Sequence, residues 1–362
     1  MKSLLRLLLK TQHQQNRSGQ AQKEKGMTLV ELLVGAIMAF LIITPMLGFV
    51  VDMLNTDRRE QVKSNTEQDI QAAVDFIAQD LNQAIYIYDN DTINNPATDG
   101  TPGIRAQLPN RTGGTPILVF WKRQQVKNAV SVETNPANRV LPINCTTTTC
   151  NDTYVRSLVA YYLVRETPSP NSIWCQPSGT SCPSRIERYE IREGVRNPGS
   201  TTPATFYYNN AQVKPGQEVS PAFNSNFDFS QPRLNVTTIA GFADPSFTGQ
   251  NPQVLVNYID HTQKGLSANE CVTALGNPTV TLPGAAAPTP VGENTLKVTD
   301  DPQTNTNSFY ACVDSSKNLA RVTIRGNSLR RLKDSNVPSS ADNTAYFPTA
   351  SVQVQGRGAL GK

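Results

Sequence analysis

Lys25-Gly26-Met27-Thr28-Leu29-Val30-Glu31-Leu32-Leu33 opens an apolar run that continues to Val51 with Glu31 as its one charge. At about 1.5 Å rise per residue, the stretch from Met27 makes a helix of roughly 37 Å, enough for a hydrocarbon core of about 30 Å. No A-x-A-like cleavage site follows it, and the run passes directly into a polar stretch with a helical pattern. A secretory signal that is cut away has a shorter apolar region and such a site. Residues 27–51 therefore read as a membrane span.

Glu31 is the costly residue in that span, because a carboxylate in an apolar setting calls for a partner of opposite charge. Cutting the chain after Gly26 would create one. The new amino group at Met27 would lie about one helical turn from Glu31, and the same group on a neighbouring subunit could also reach it.

On these residues the chain resembles the type IV pilins and type II secretion pseudopilins. Their class III signal has a basic leader, a glycine, a hydroxyl residue and a glutamate at fixed spacing ahead of a full span, as in Gly26 to Leu33 here. Met27 stands where that family more often has phenylalanine. The resemblance implies a prepilin peptidase and methylase that cuts between Gly26 and Met27 and methylates Met27. It also implies Glu31 as the residue that guides docking onto other pilins and pseudopilins at an inner-membrane assembly platform. The expected location is the inner membrane, crossed once, with the leader in the cytoplasm, followed by incorporation in a fibre.

The leader, residues 1–26, carries Lys2, Arg6, Lys10, Arg17, Lys23 and Lys25 against Glu24, a net +5 that keeps this end cytoplasmic. Taking it from the +4 of the whole chain leaves −1 for the remaining residues. The basic character belongs to the leader, so composition gives no support to a nucleic-acid partner. Inside the span, Pro45 removes a backbone donor and Gly48 follows; a bend useful in filament packing and plain tolerance of proline in membrane helices are both open readings.

Residues 52–88 read as an amphipathic continuation of the helix. Ile70, Val74, Ile77, Leu81, Ala84, Ile85 and Tyr88 recur at spacings of three and four, with Gln68, Asp69, Gln71, Asp75, Gln79 and Asp80 on the opposite face. The stripe predicts a helix from about Thr28 to about Ile85. From residue 89 to 362 the pattern changes to strand-like runs at 117–121, 157–164, 186–191, 254–258, 320–324 and 351–354. Pro-, Asn- and Thr-rich stretches separate them, notably 196–233 and 276–308. One helix across an antiparallel sheet is an α+β domain, as the pilin resemblance also implies. The segment between Cys271 and Gly292 holds no charged residue and reads as a surface excursion rather than a second core.

Six cysteines, Cys145, Cys150, Cys175, Cys182, Cys271 and Cys312, follow the span and so lie outside the cytoplasm, where disulfides form. Fifteen pairings are possible. The expected set is Cys145–Cys150 and Cys175–Cys182 around short Thr-, Ser- and Gly-bearing loops, and Cys271–Cys312 tying down the uncharged excursion. A zinc site from the first four is the alternative, with spacings looser than C-x2-C. Asp89, Asp91 and Asn94 suggest either a calcium loop or a polar turn, and they lack an EF-hand's glycine and late glutamate.

Catalytic patterns are few. His13 lies in the leader, and His261 stands beside Asp260 in a loop. Gly356 to Lys362 has the spacing G-x-x-x-x-G-K without the Ser or Thr and the helix that hold phosphate and magnesium. The expectation is a non-enzymatic subunit with no cofactor and no metal. About 270 residues follow the helix, which suits a minor subunit better than a densely packed major pilin. The strand layout is similar to that of larger minor pseudopilins and of PilW-type minor pilins. Residues 44–58, 68–89 and 347–358 resemble pseudopilins of cyanobacterial hormogonium polysaccharide secretion. That implies help in exporting a polysaccharide and in gliding. The alternatives are a tip or priming subunit for adhesion or twitching, and a membrane-anchored module binding glycan through Trp121, Trp174, Tyr161, Tyr207 and Tyr208.

Overall fold

The computed structural model describes residues 28–94, 103–202, 205–224, 252–260, 268–281, 287–299 and 308–357. The leader with Gly26, as well as Met27, His261 and residues 358–362, lies outside the described residues, as do parts of the two polar stretches. The chain divides into two compact units at Arg58–Arg59.

Helix α1, Leu29–Leu81, runs through both units and is unbroken at Pro45. Thr44, next to it, donates its hydroxyl to Phe40 O at 2.8 Å, an i−4 back-bond of a kind that often bends helices. In the first unit every large apolar side chain from Leu29 to Leu54 is exposed, Phe40 at 70% and Phe49 at 69%. So wide an apolar surface marks a membrane or partner site rather than a soluble face. This helix is long and apolar enough to cross a membrane, and the apolar part is not buried within the protein.

The second unit begins at Arg59. The last turns of α1 bury Thr66, Ile70, Ala73, Val74, Ile77, Asp80 and Leu81. The helix ends earlier than expected. Asn82 and Gln83 turn, and Ala84–Ile87 form strand β1. The residues Ala84-Ile85-Tyr86-Ile87-Tyr88 fit a helical stripe and a strand alike, and β-branched and aromatic residues favour the strand once a partner edge is present. Asp89 then caps a short helix α2, Asn90–Asn94.

Strand β1 lies at the edge of a five-stranded antiparallel sheet. Its other members are β2 (Gly114–Ser131), β3 (Cys150–Val164), β4 (Ser184–Arg192) and β5 (Gln253–Ile259), in the order β1-β2-β3-β4-β5. The expected strands at 117–121 and 157–164 lie within much longer ones, near the start of β2 and at the end of β3. β2 pairs with β3 from Gly114↔Val164 to Ser131↔Cys150, with an irregularity between Val126 and Val130. There Asn128 takes φ 48°, a value Asn tolerates, and Asp152 accepts hydrogen bonds from the Asn128 amide and the Gln125 side chain, both at 2.9 Å. The outer part of this hairpin has its own cluster of Val126, Ala129, Val155, Val195, Tyr208 and Val213.

Beyond β5 come helix α3 (Glu270–Ala274), the small ladder of β6 (Thr279–Val280) with β7 (Thr289–Pro290), and helix α4 (Glu293–Leu296). A second antiparallel sheet has the order β11-β10-β9-β8. It is built from β8 (Lys297–Val298), β9 (Phe309–Asp314), β10 (Leu319–Arg325) and β11 (Thr349–Gln355), with helix α5 (Leu329–Leu332) after β10. An antiparallel bridge Ile259↔Gly326 joins this sheet to β5. Asn318 donates its side-chain amide to Ala84 O in β1 at 3.1 Å, a second link between the sheets. A Cβ on Gly326 would sit 2.3 Å from Ile70 Cδ1, so the bare backbone there lets α1 approach closely. The fold is thus α+β, a long N-terminal helix with antiparallel sheets and three disulfides.

The segment after Cys271 departs from expectation in part. Its described residues are mostly exposed, as an excursion should be, but its base is anchored by a separate buried cluster of Cys271, Leu275, Leu296, Tyr310 and Cys312. Glu293 accepts hydrogen bonds from the Cys271 and Val272 amides at 2.9 Å, capping α3 in place of a side chain at its own N-cap.

Candidate functional site

The start of α1 is built by two of the signal residues. The Thr28 amide and hydroxyl both donate to Glu31 Oε2 at 3.0 Å, and the Glu31 amide donates back to Thr28 Oγ1 at 3.3 Å. This is a capping box, in which a hydroxyl residue before the helix and a glutamate three residues on satisfy each other's orphan donors. Glu31 therefore has a partner within its own chain. Its expected docking contacts, and the bond between Gly26 and Met27, fall on residues or subunits outside the description.

The second unit holds a charged cluster where α1 meets the first sheet. Asp80, only 7% exposed, accepts from Lys122 Nζ in β2 at 3.0 Å, Tyr161 OH in β3 at 2.7 Å and Arg188 Nε in β4 at 2.7 Å. Arg188 also donates to Glu190 at 2.8 Å, and Lys122 lies 3.5 Å from the same carboxylate. The strand register makes this possible: Tyr161 pairs with Arg188, and Lys122 pairs with Ser157, four residues before Tyr161 in β3 and so on the same face. Burial alone would raise the Asp80 carboxyl, but Lys122 and Arg188 outweigh it and hold the group below its ordinary value. Glu190 follows the same balance. The Tyr161 hydroxyl is pushed up, first by burial and then by the Asp80 charge.

Asp80 corrects the assignment of polar faces, which put it with Asp75 and Gln79. It sits three residues after Ile77, at the margin of the stripe, and the polar atoms it meets come from the sheet. Asp69, from the same predicted face, pairs with Arg331 in α5. The detectable signal was the placement of Lys122, Arg188 and Glu190 within runs otherwise rich in buried residues, since buried charge demands counter-charge.

The cysteines pair as Cys145–Cys150, Cys175–Cys182 and Cys271–Cys312, the set expected from the loops, and none among them is left for zinc. The Cys175–Cys182 loop is held from outside, as Arg330 donates to Ser181 O at 2.8 Å and the Ser178 amide donates to Asp334 at 2.9 Å. Asp89 accepts from the Thr92 amide and hydroxyl and, on its other oxygen, from the Ser315 hydroxyl at 2.6 Å. Asp91 accepts from Thr295 at 2.9 Å. The Asp89–Asn94 segment is thus a polar cap, and no metal-ligand cluster occurs among the described residues.

The aromatics proposed for glycan contact are divided. Trp121 and Tyr161 are fully buried, and Trp121 donates its indole N–H to Tyr88 OH at 2.9 Å. Tyr208 is also buried, Tyr207 donates to Glu193 at 3.1 Å, and Trp174 lies over the Arg185 guanidinium. Packing takes up the faces of Trp121, Tyr161 and Tyr208, whereas Trp174 and Tyr207 are half-buried.

An exposed apolar helix face offers burial, and the buried charges bind one another. No protein-family model, curated protein or solved structure matches the chain.

Proposed function

We propose that the chain is a minor pilin or pseudopilin, cut after Gly26, methylated at Met27 and assembled through α1 into a short fibre. The observation that carries the reading is the sequence Gly26 to Glu31 standing immediately before an uncharged helical run, residues 32–51, whose large apolar side chains are all exposed. Glu31, which has an intramolecular partner at Thr28 before processing, acquires the Met27 amine as a second one after it. The α+β unit behind the helix then decorates the fibre. The segments of α1 and of the C-terminal region that resemble polysaccharide-secretion pseudopilins support export of a polysaccharide as its task.

The test is the intact mass and N-terminal residue of the protein recovered from membranes, with and without the prepilin peptidase. The expected mature chain begins at methylated Met27. A chain that still begins at Met1 with the peptidase active sinks the reading and leaves a plain membrane-anchored protein.

A further inference from the structure

Strand β11 stands at the edge of the second sheet, and β10 is its one ladder partner among the described residues. Two bonds fix which way its backbone points. Gly326 N donates to Pro348 O and Gly356 N donates to Asn318 O, both at 2.9 Å, at the two ends of one unbroken register. Residues opposite each other in an antiparallel ladder alternate between pairs that exchange hydrogen bonds and pairs that do not. Ala350, Val352 and Val354 therefore turn their amides and carbonyls toward β10, and Thr349, Ser351, Gln353 and Gln355 turn theirs away. The bond from Arg325 N to Ser308 O agrees, since it gives the odd-numbered residues of β10 to β9 and leaves the even-numbered ones for β11.

The devices that usually blunt such an edge are absent from β11. Residues 349–355 include no charge and no proline, and the pairing with β10 has no bulge. Thr349, Ser351, Gln353 and Gln355 are exposed. On the inner face the core thins out at this strand. Ala320, Val322 and Ile324 of β10 are fully buried, whereas Ala350 and Val352 beside them are only half-buried. One more strand would give the outward donors and acceptors their partners and cover those two side chains. The edge closes at Gly356, where a Cβ would lie 2.4 Å from Ala84 O of β1.

We propose that the edge of β11 docks an extended segment of another polypeptide chain as a fifth strand of the second sheet. The chemistry of the edge specifies that segment. It is uncharged like β11 itself, sets apolar side chains opposite Ala350 and Val352, and sets small polar ones opposite Ser351 and Gln353. Main-chain hydrogen bonds supply the affinity, and the alternation supplies the selectivity. Thr349-Ala350-Ser351-Val352-Gln353-Val354-Gln355 has this pattern itself, so a free peptide of that sequence is a suitable probe.

The experiment follows the fluorescence anisotropy of that peptide, labelled, as full-length protein in detergent micelles is added, against empty micelles and against a scrambled peptide of the same composition. The expected result is saturable binding of the alternating peptide, weakened about ten-fold or more by Gln353→Pro, which removes one outward donor and leaves the bonds to β10 in place. Thermal unfolding checks that this variant keeps its fold. Ser351→Lys, which places a charge on the edge without altering the backbone, gives an independent second reading and should also weaken binding. Equal binding of the scrambled peptide overturns the specification of the segment. Binding unchanged in both variants, or absent in the native protein, overturns the site. A native protein that is dimeric in micelles by light scattering and monomeric as Gln353→Pro makes the occupant a second copy and overturns the separate partner.

Discussion

Glu31 caps the start of α1, and a single substitution separates that role from the docking role proposed for it. As the third residue of a capping box it needs only an acceptor, which glutamine supplies; as a docking charge it needs its carboxylate. Glu31→Gln should therefore keep the helix start and processing while reducing the variant in the sheared fibre fraction, measured by immunoblot against the membrane fraction. Wild-type incorporation of Glu31→Gln alongside loss in Glu31→Ala would assign the residue to capping alone. Asp80 is the corresponding residue in the second unit. Asp80→Asn leaves the buried Arg188 and Lys122 to share the Glu190 carboxylate and should cost about 3 kcal/mol. Asp69→Asn, which breaks a pair with a half-exposed carboxylate, should cost no more than about 1 kcal/mol. Denaturant unfolding of the two variants gives the comparison.

At the scale of elements, the disulfides should rank by the length of chain they close. Cys271–Cys312 spans 41 residues and Cys145–Cys150 only 5, so in a chain-entropy account their losses are about 4 and about 2 kcal/mol. Paired serine variants compared by thermal unfolding test this, and equal losses would count against it. The first bridge also holds α3 against β9, whereas the second closes the hairpin of β2 and β3. Much of this was legible in the sequence: the span, the helix beyond it, six strand centres and the cysteine pairs. The rest depended on contacts that lie far apart in the chain. Ala84–Tyr88 satisfies the periods of both helix and strand, and only the β2 edge decides between them. Phe309–Asp314 is a short buried strand whose apolar run lacks alternation, and its partners β8 and β10 identify it. Asp80 looks solvent-facing until strands carrying Lys122, Tyr161 and Arg188 are brought beside it.

At the scale of the whole molecule, acid should be the weak direction. Asp80, Glu187 and Glu190 are held below their ordinary values of 3.8, 4.5 and 4.5. For each, burial opposes the shift and the adjoining Lys or Arg groups overcome it. Groups lowered in this way stabilise the fold when ionised, so their contribution is present above about pH 4.5 and is lost as pH falls through the depressed values. Glu193, raised by burial despite Arg156, acts in the opposite sense and softens the trend only above its own ordinary value. Unfolding midpoints from about pH 6 down to about pH 3 should decline, and a flat profile would show that the cluster does not control stability.

The grip on Asp80 also has a mechanical meaning. Three neighbouring strands hold this one carboxylate, and Gly326 lets Ile70 seat close to the second sheet. A pull along the axis of α1 therefore loads several contacts in parallel, as a rivet is loaded in shear, instead of peeling them one after another. Removing the charge at Asp80 should lower the force at which the helix slips from its domain well before it changes where the helix lies at rest.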